Sequence, residues 1–200
     1  MSAQQPTVYR EVRHLIRAGD VLLYRRPGSW IGNVGRSPYS HAAMVVVYPG
    51  WHDRTLLAAE SREFQGSHLK TLSSQVARYH GRIDVFRPTC GNQIAEEAAD
   101  LAVKQAGHQY NYRGIVWLGL LHAPLVRNAI RWYPDTTDMT LSAWDAPKFC
   151  SQLVVWCLRV AAQWLKSSWE VIHQLGDRWC EPGDLARGNI ELMWPELVLA

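Results

Sequence analysis

A thiol, an imidazole and a carboxylate stand in this sequence at Cys150, His41 and Glu60, each where its chemistry could be used. Cys150 opens the stretch Phe149 to Leu165, in which Cys150, Val154, Cys157, Leu158, Ala161 and Leu165 recur at helical spacing. Pro147 precedes it in a position suited to a first turn. A thiol at a helix N-terminus meets unpaired backbone N–H groups and the positive end of the macrodipole, which lower its pKa from about 8.5. Buried cysteines that do no chemistry are the commoner case, and Cys157 on the same helix reads as one. What distinguishes Cys150 is its company.

His41 opens the run His41 to Tyr48 (HAAMVVVY), a predicted strand that ends at the Pro49-Gly50 turn. Thr55 to Arg62 (TLLAAESR) is its predicted hairpin partner across the polar turn Pro49 to Arg54. Antiparallel pairing sets residues near His41 against residues from Glu60 to Glu63, within side-chain reach. An imidazole beside a thiolate serves as general base and then protonates the leaving group, and a carboxylate fixes its tautomer. Glu60 and Glu63 both satisfy that requirement, and spacing does not choose between them. The backbone N–H groups of Cys150 and Ser151 are candidates for an oxyanion hole. Because that role belongs to the backbone, Ser151→Ala is expected to do little. Tyr24, Ser40 and Tyr112 are candidates for lining the site, although a buried sheet tyrosine is the safer reading of Tyr24. Asp20 reads as a turn or cap residue.

The elements that must carry these groups divide along the chain. Val21 to Arg25 (VLLYR) and Arg82 to Arg87 (RIDVFR) read as further strands. Asn92 to Ala106 reads as an amphipathic helix, with Ile94, Ala98, Leu101, Ala102 and Gln105 on one face and Gly107 as its stop. Strands in the first half and helices in the second give an α+β class. Tyr133 to Ala146 is polar and irregular, as a substrate loop would be.

Composition narrows the classes. The 200 residues, 48% hydrophobic and 20% charged, suit one globular domain, and no repeat or domain boundary is visible. A formal net charge of +3, scattered along the chain, argues against nucleic acid as a partner. The four cysteines, Cys90, Cys150, Cys157 and Cys180, form no CxxC pair, and no cofactor or metal is called for. No secretory signal is visible at Met1 to Thr7, so the expectation is cytoplasmic synthesis. The apolar run Gly114 to Val126 falls short of the roughly 18 to 20 residues that span a bilayer. Eight of the ten tryptophans lie in the C-terminal half, as core aromatics or as a contact surface.

Four segments carry a family resemblance in their order: GDVLLYR (Gly19 to Arg25), SHAAMVV (Ser40 to Val46), AAES (Ala58 to Ser61) and KFCSQLVVW (Lys148 to Trp156). The sequence resembles the circularly permuted NlpC/P60 group of papain-like cysteine hydrolases, the YiiX/YaeF-like proteins being the nearest type. Tyr110-Asn111-Tyr112 resembles the family's "YD" segment with Asn111 in place of Asp, and Glu181 to Leu185 resembles its "P-x-D-L" close. The resemblance implies Cys150 as nucleophile, His41 as base and Glu60 as the orienting third residue. It implies one permuted domain over residues 1–200, with 1–18 as an extension and 114–146 as an insertion or substrate loop.

The activity expected from residues and resemblance together is amide cleavage through an acyl-enzyme on Cys150, with a peptide of peptidoglycan type as substrate. Two alternatives stand beside it. One is a lipid-directed acyltransferase or esterase with the same site, for which Gly114 to Val126 would meet acyl chains or a membrane surface. The other is a non-catalytic binding or assembly module, for example in a phage tail or virion. A wall-active enzyme with no leader would travel in a virion or by a non-Sec route.

Overall fold

The run Val21, Leu22, Leu23, Tyr24 has no polar alternation because both sides of its strand are covered. In the computed structural model, which describes residues 6–26, 37–49, 54–113, 116, 143–172 and 180–199, that strand lies inside a six-stranded antiparallel sheet. The elements in chain order are β1 (Thr7–Val8), α1 (Tyr9–Val12), β2 (Val21–Arg25), β3 (Tyr39–Pro49), β4 (Arg54–Arg62), β5 (Gly66–Thr71) and α2 (Leu72–Arg78). There follow β6 (Arg82–Pro88), α3 (Asn92–Lys104), α4 (Cys150–Trp164), α5 (Pro182–Arg187), β7 (Ile190–Trp194) and β8 (Leu197–Val198). The sheet order is β5-β4-β3-β2-β6-β7, and β1 and β8 form a separate parallel pair.

Alternation along the strands builds two cores. Val21, Leu23, Ala42, Met44 and Val46 face α3 and α4, meeting Ala98, Leu101, Val154 and Leu158. Leu22, Tyr24, Ala43, Val45, Leu56 and Ala58 face the other way, against Tyr9, Ile16 and Leu72. All five residues placed on the inner face of the Asn92 helix are buried. The β3–β4 register pairs Ala43 with Glu60 and runs to Pro49 opposite Arg54.

Several boundaries differ from the sequence reading. β3 begins at Tyr39, so His41 is its third residue rather than its first. The β2–β3 register moves from Tyr24 opposite His41 to Arg25 opposite Tyr39, which makes Ser40 the extra residue of a bulge. The elements β1, α1, β5, α2, α5, β7 and β8 are additional. GSHLKT at β5 holds one large apolar residue because it is an edge strand, and α2 spans only seven residues. Of the apolar run Gly114 to Val126 only Val116 is described, and of Tyr133 to Ala146 only the last four residues. Among the described residues no helix is long and apolar enough to cross a membrane.

Candidate active site

Phe149 has extended backbone angles and caps α4, so Cys150 is the first helical residue. Pro147 lies two residues before the cap, outside the helix, contrary to the first-turn position expected of it. The approach to the helix is held by Lys148, which is buried and donates from Nζ to the carbonyls of Ala143, Trp144 and Ala146 and to Gln105 Oε1. Its ammonium also lies 4.2 Å from the centroid of the Trp156 ring. A buried cation with this many acceptors fixes the chain two residues before the thiol.

His41 comes from the opposite side. It shares its sheet face with Tyr24, its direct partner on β2, and with Ala43 and Glu60, whereas α4 packs on the other face. The two groups meet where β3 and β4 stop pairing. The ladder ends at Ala43 opposite Glu60, and beyond it Ser61 Oγ donates to the Lys148 carbonyl at 2.6 Å. The backbone of Ala42 hydrogen-bonds the Cys150 sulfur at the same end. The segment Lys148 to Cys150 therefore borders the open end of the strand pair.

His41 Nε2 lies 2.8 Å from Glu60 Oε2, which leaves Nδ1 for the Cys150 sulfur to which the ring is also hydrogen-bonded. Glu63 is exposed, and the carboxylate on His41 is that of Glu60. Glu60 is fully buried and accepts four hydrogen bonds: from His41 and Arg62 Nε (2.8 Å) on Oε2, and from Gln75 (2.7 Å) and His68 (3.1 Å) on Oε1. Lys70 Nζ stands 3.8 Å from Oε1.

The electrostatics follow from this packing. Burial raises the Glu60 carboxyl, but the hydrogen bond and charge of His41, with Arg62 and His68 behind it, overcome that and hold it at about 2. Burial lowers the His41 imidazolium, yet Cys150 and then Glu60 raise it to about 9. Burial raises the Cys150 thiol, and the His41 charge and hydrogen bond, with backbone bonds from Ala42 and Ser151, bring it below its ordinary value. Cys157 and Cys180 show burial without such partners: both thiols are pushed far up. At neutral pH the arrangement favours a thiolate beside an imidazolium.

The remaining site candidates are distributed unevenly. Tyr24 is fully buried, its ring 5.0 Å from that of His41, and its hydroxyl has no hydrogen-bond partner among the described residues. It backs the imidazole rather than facing solvent. Ser40 is buried in the bulge, 3.4 Å from the Tyr24 carbonyl. Tyr112 is 43% exposed, and one ring, Tyr110, separates it from the vicinity of Cys150. The Ser151 hydroxyl is buried and donates to the Cys180 carbonyl at 2.7 Å, so its side chain is a structural contact and not an indifferent one. Asp20 accepts from the Arg17 backbone and from both Arg87 nitrogens, as a turn residue with an added ion pair.

Sequence reasoning missed Arg62, His68 and Gln75 around Glu60, and Gln152, which accepts from Asn111 at 3.0 Å. Their signal lay in the strand period: once β5 is recognised, His68 falls directly opposite Glu60. Among the described residues no group of three or more His, Cys, Asp or Glu is arranged to hold a metal ion. A cavity of 550 Å³ lined by Arg17, Val47, Arg54, Asn92, Glu96 and Asp100 lies at the other end of β3 and shares no residue with this site.

Residues 15–115 match the model of the permuted papain-like amidase enzymes, the YaeF/YiiX, C92 family. The chain belongs to this family. The matched stretch carries His41 and Glu60 and ends before Cys150, whose place beside His41 is a matter of geometry. The mixed α+β architecture, with an antiparallel sheet and packed helices, fits a permuted papain-like amidase, and the YaeF/YiiX assignment narrows the NlpC/P60 wording of the resemblance. No curated protein matches the chain.

Proposed function

We propose that this YaeF/YiiX-type amidase is a thiol hydrolase that cleaves a peptide amide through an acyl-enzyme on Cys150, with a peptidoglycan peptide as substrate class. The observation that carries the reading is His41 held between the Cys150 sulfur and the buried Glu60 carboxylate. The thiolate attacks the amide carbonyl, forming the S–C bond and placing negative charge on oxygen. The backbone N–H groups of Cys150 and Ser151, at the start of α4, are the candidates to meet that charge. His41 gives its proton to the departing nitrogen, and the C–N bond breaks to leave a thioester. Water then attacks the thioester while His41 takes its proton, and the S–C bond breaks to release the carboxylic acid and restore the thiolate–imidazolium pair. Glu60 accepts from Nε2 throughout, fixing the tautomer that presents Nδ1 to sulfur.

The test is turnover of purified muropeptides, followed by mass spectrometry, with Cys150→Ala and His41→Ala beside the wild type. The expected result is one defined amide cleavage in the wild type and none in either variant, with circular dichroism unchanged. Cleavage retained by Cys150→Ala removes the reading.

A further inference from the structure

His68 presents a contradiction that only one charge state resolves. Its Nδ1 lies 2.9 Å from the carbonyl oxygen of Gly66, and its Nε2 lies 3.1 Å from Glu60 Oε1. A carbonyl and an ionised carboxylate only accept hydrogen bonds, and a neutral imidazole has a single N–H to give. Neither acceptor is free to move away. Gly66 is held in the β4–β5 ladder opposite Arg62, and with φ +68° and a Cβ position 2.2 Å from the His108 carbonyl it is a site for glycine. Glu60 is fully buried and fixed by its other donors.

The carboxylate is divided in its contacts. Oε2 receives His41 and Arg62, while Oε1 receives His68 from β5 and Gln75 from α2. The charged groups around it are Arg62 on β4, Lys70 on β5 and His41 on β3, while α2 contributes the neutral Gln75. We propose that His68 is a second imidazolium on Glu60 and a positioning residue, anchoring Oε1 with Gln75 so that Oε2 stays aimed at His41. The positioning half rests on the assignment of His41 as the base of the reaction. His68 touches no reacting atom; it acts through the carboxylate.

Long-range proton–nitrogen spectra of the full chain labelled with 15N-histidine, with His68 assigned through His68→Gln, read the ring directly. The expected result at pH 7 is two protonated nitrogens in the wild type and one in Glu60→Gln. A singly protonated His68 in the wild type overturns the charge assignment. The second measurement is the pH profile of Cys150 alkylation by iodoacetamide, mapped by peptide mass spectrometry. His68→Leu is expected to move the labelling profile up by about one pH unit, one unit in thiol pKa. His68→Gln keeps a donor for Oε1 and is expected to leave the profile within about half a unit of the wild type. A wild-type profile in His68→Leu, even with a lowered melting temperature, reduces the residue to a structural contact and overturns the proposal. An ordinary thiol profile in the wild type overturns the hydrolase reading and the positioning role together, while the spectrum still decides the charge.

Discussion

His41 reaches Glu60 diagonally: the direct partner of Glu60 on β3 is Ala43, two residues further along the same face, yet Nε2 and Oε2 are 2.8 Å apart. A diagonal contact of this kind needs the Glu60 side chain to reach along the strand toward the open end of the ladder, where the thiol lies. Glu60→Ala removes that reach. Its Cys150 alkylation profile is expected to move up by at least about one pH unit relative to the wild type. Unchanged labelling would separate Glu60 from the thiol's chemistry.

The coupling also runs the other way. Next to burial, Cys150 is the largest influence on His41, so Cys150→Ala is expected to bring the imidazole down from about 9 by at least about one unit. Titration of the His41 ring protons by NMR in both proteins reads the shift, and an unmoved His41 would break the pair.

Glu60 makes folding stability depend on acid. Its carboxyl is lowered from 4.5 to about 2, so the stability it contributes is complete above the unfolded value and is lost as pH falls through 4.5 toward 2. His41 has the opposite sign: raised from 6.5 to about 9, it contributes fully below 6.5 and loses that contribution as pH rises through 9. Urea midpoints across pH 2 to 10 should therefore fall at both ends, and Glu60→Gln should flatten the acid limb. An acid limb that persists in Glu60→Gln would assign it to other carboxylates.

Ser151→Ala removes the hydroxyl that donates to the Cys180 carbonyl at 2.7 Å. The expected cost is about 1–2 kcal/mol. Thermal unfolding should shift down by a few degrees while Cys150 labelling keeps its pH profile. Full stability would mean that the hydroxyl contact contributes nothing.

Lys148→Met keeps length and contact with the Trp156 ring but removes the donor shared by the Ala143, Trp144 and Ala146 carbonyls. Loss of one member of such a buried polar set is expected to cost about 3 kcal/mol. Urea denaturation measures it, and a variant as stable as the wild type would show that those carbonyls find other donors at no cost.

The strands that carry the site were legible because they are buried on both faces and read as apolar runs: Val21 to Arg25, the core of β3 and all but one residue of β4 fall where the sequence places them. The Cys150 helix was legible from its period, with Phe149 and Leu165 turning out to be its two caps. What escaped was the edge. β5 is polar because one side has no neighbouring strand, so GSHLKT offers no apolar alternation, and with it went His68. The choice between Glu60 and Glu63 was equally invisible, since a one-residue change of register reverses which side chain faces His41. Lys148 was read only as part of a motif, because nothing in composition marks a lysine destined for the interior.

Among the described residues the hydrogen-bond donors to the Glu60 carboxylate lie within residues 41–75, on one meander of strands and the short helix after it, while the sulfur stands at residue 150. Chains are made from the N-terminus, and a domain folds as a unit. The acid–base half is thus made well before the nucleophile, and the thiol gains its reactivity only when α4 docks against the open end of β3 and β4. Reactivity of Cys150 therefore reports the docking of that helix, a long-range event, rather than the formation of the meander.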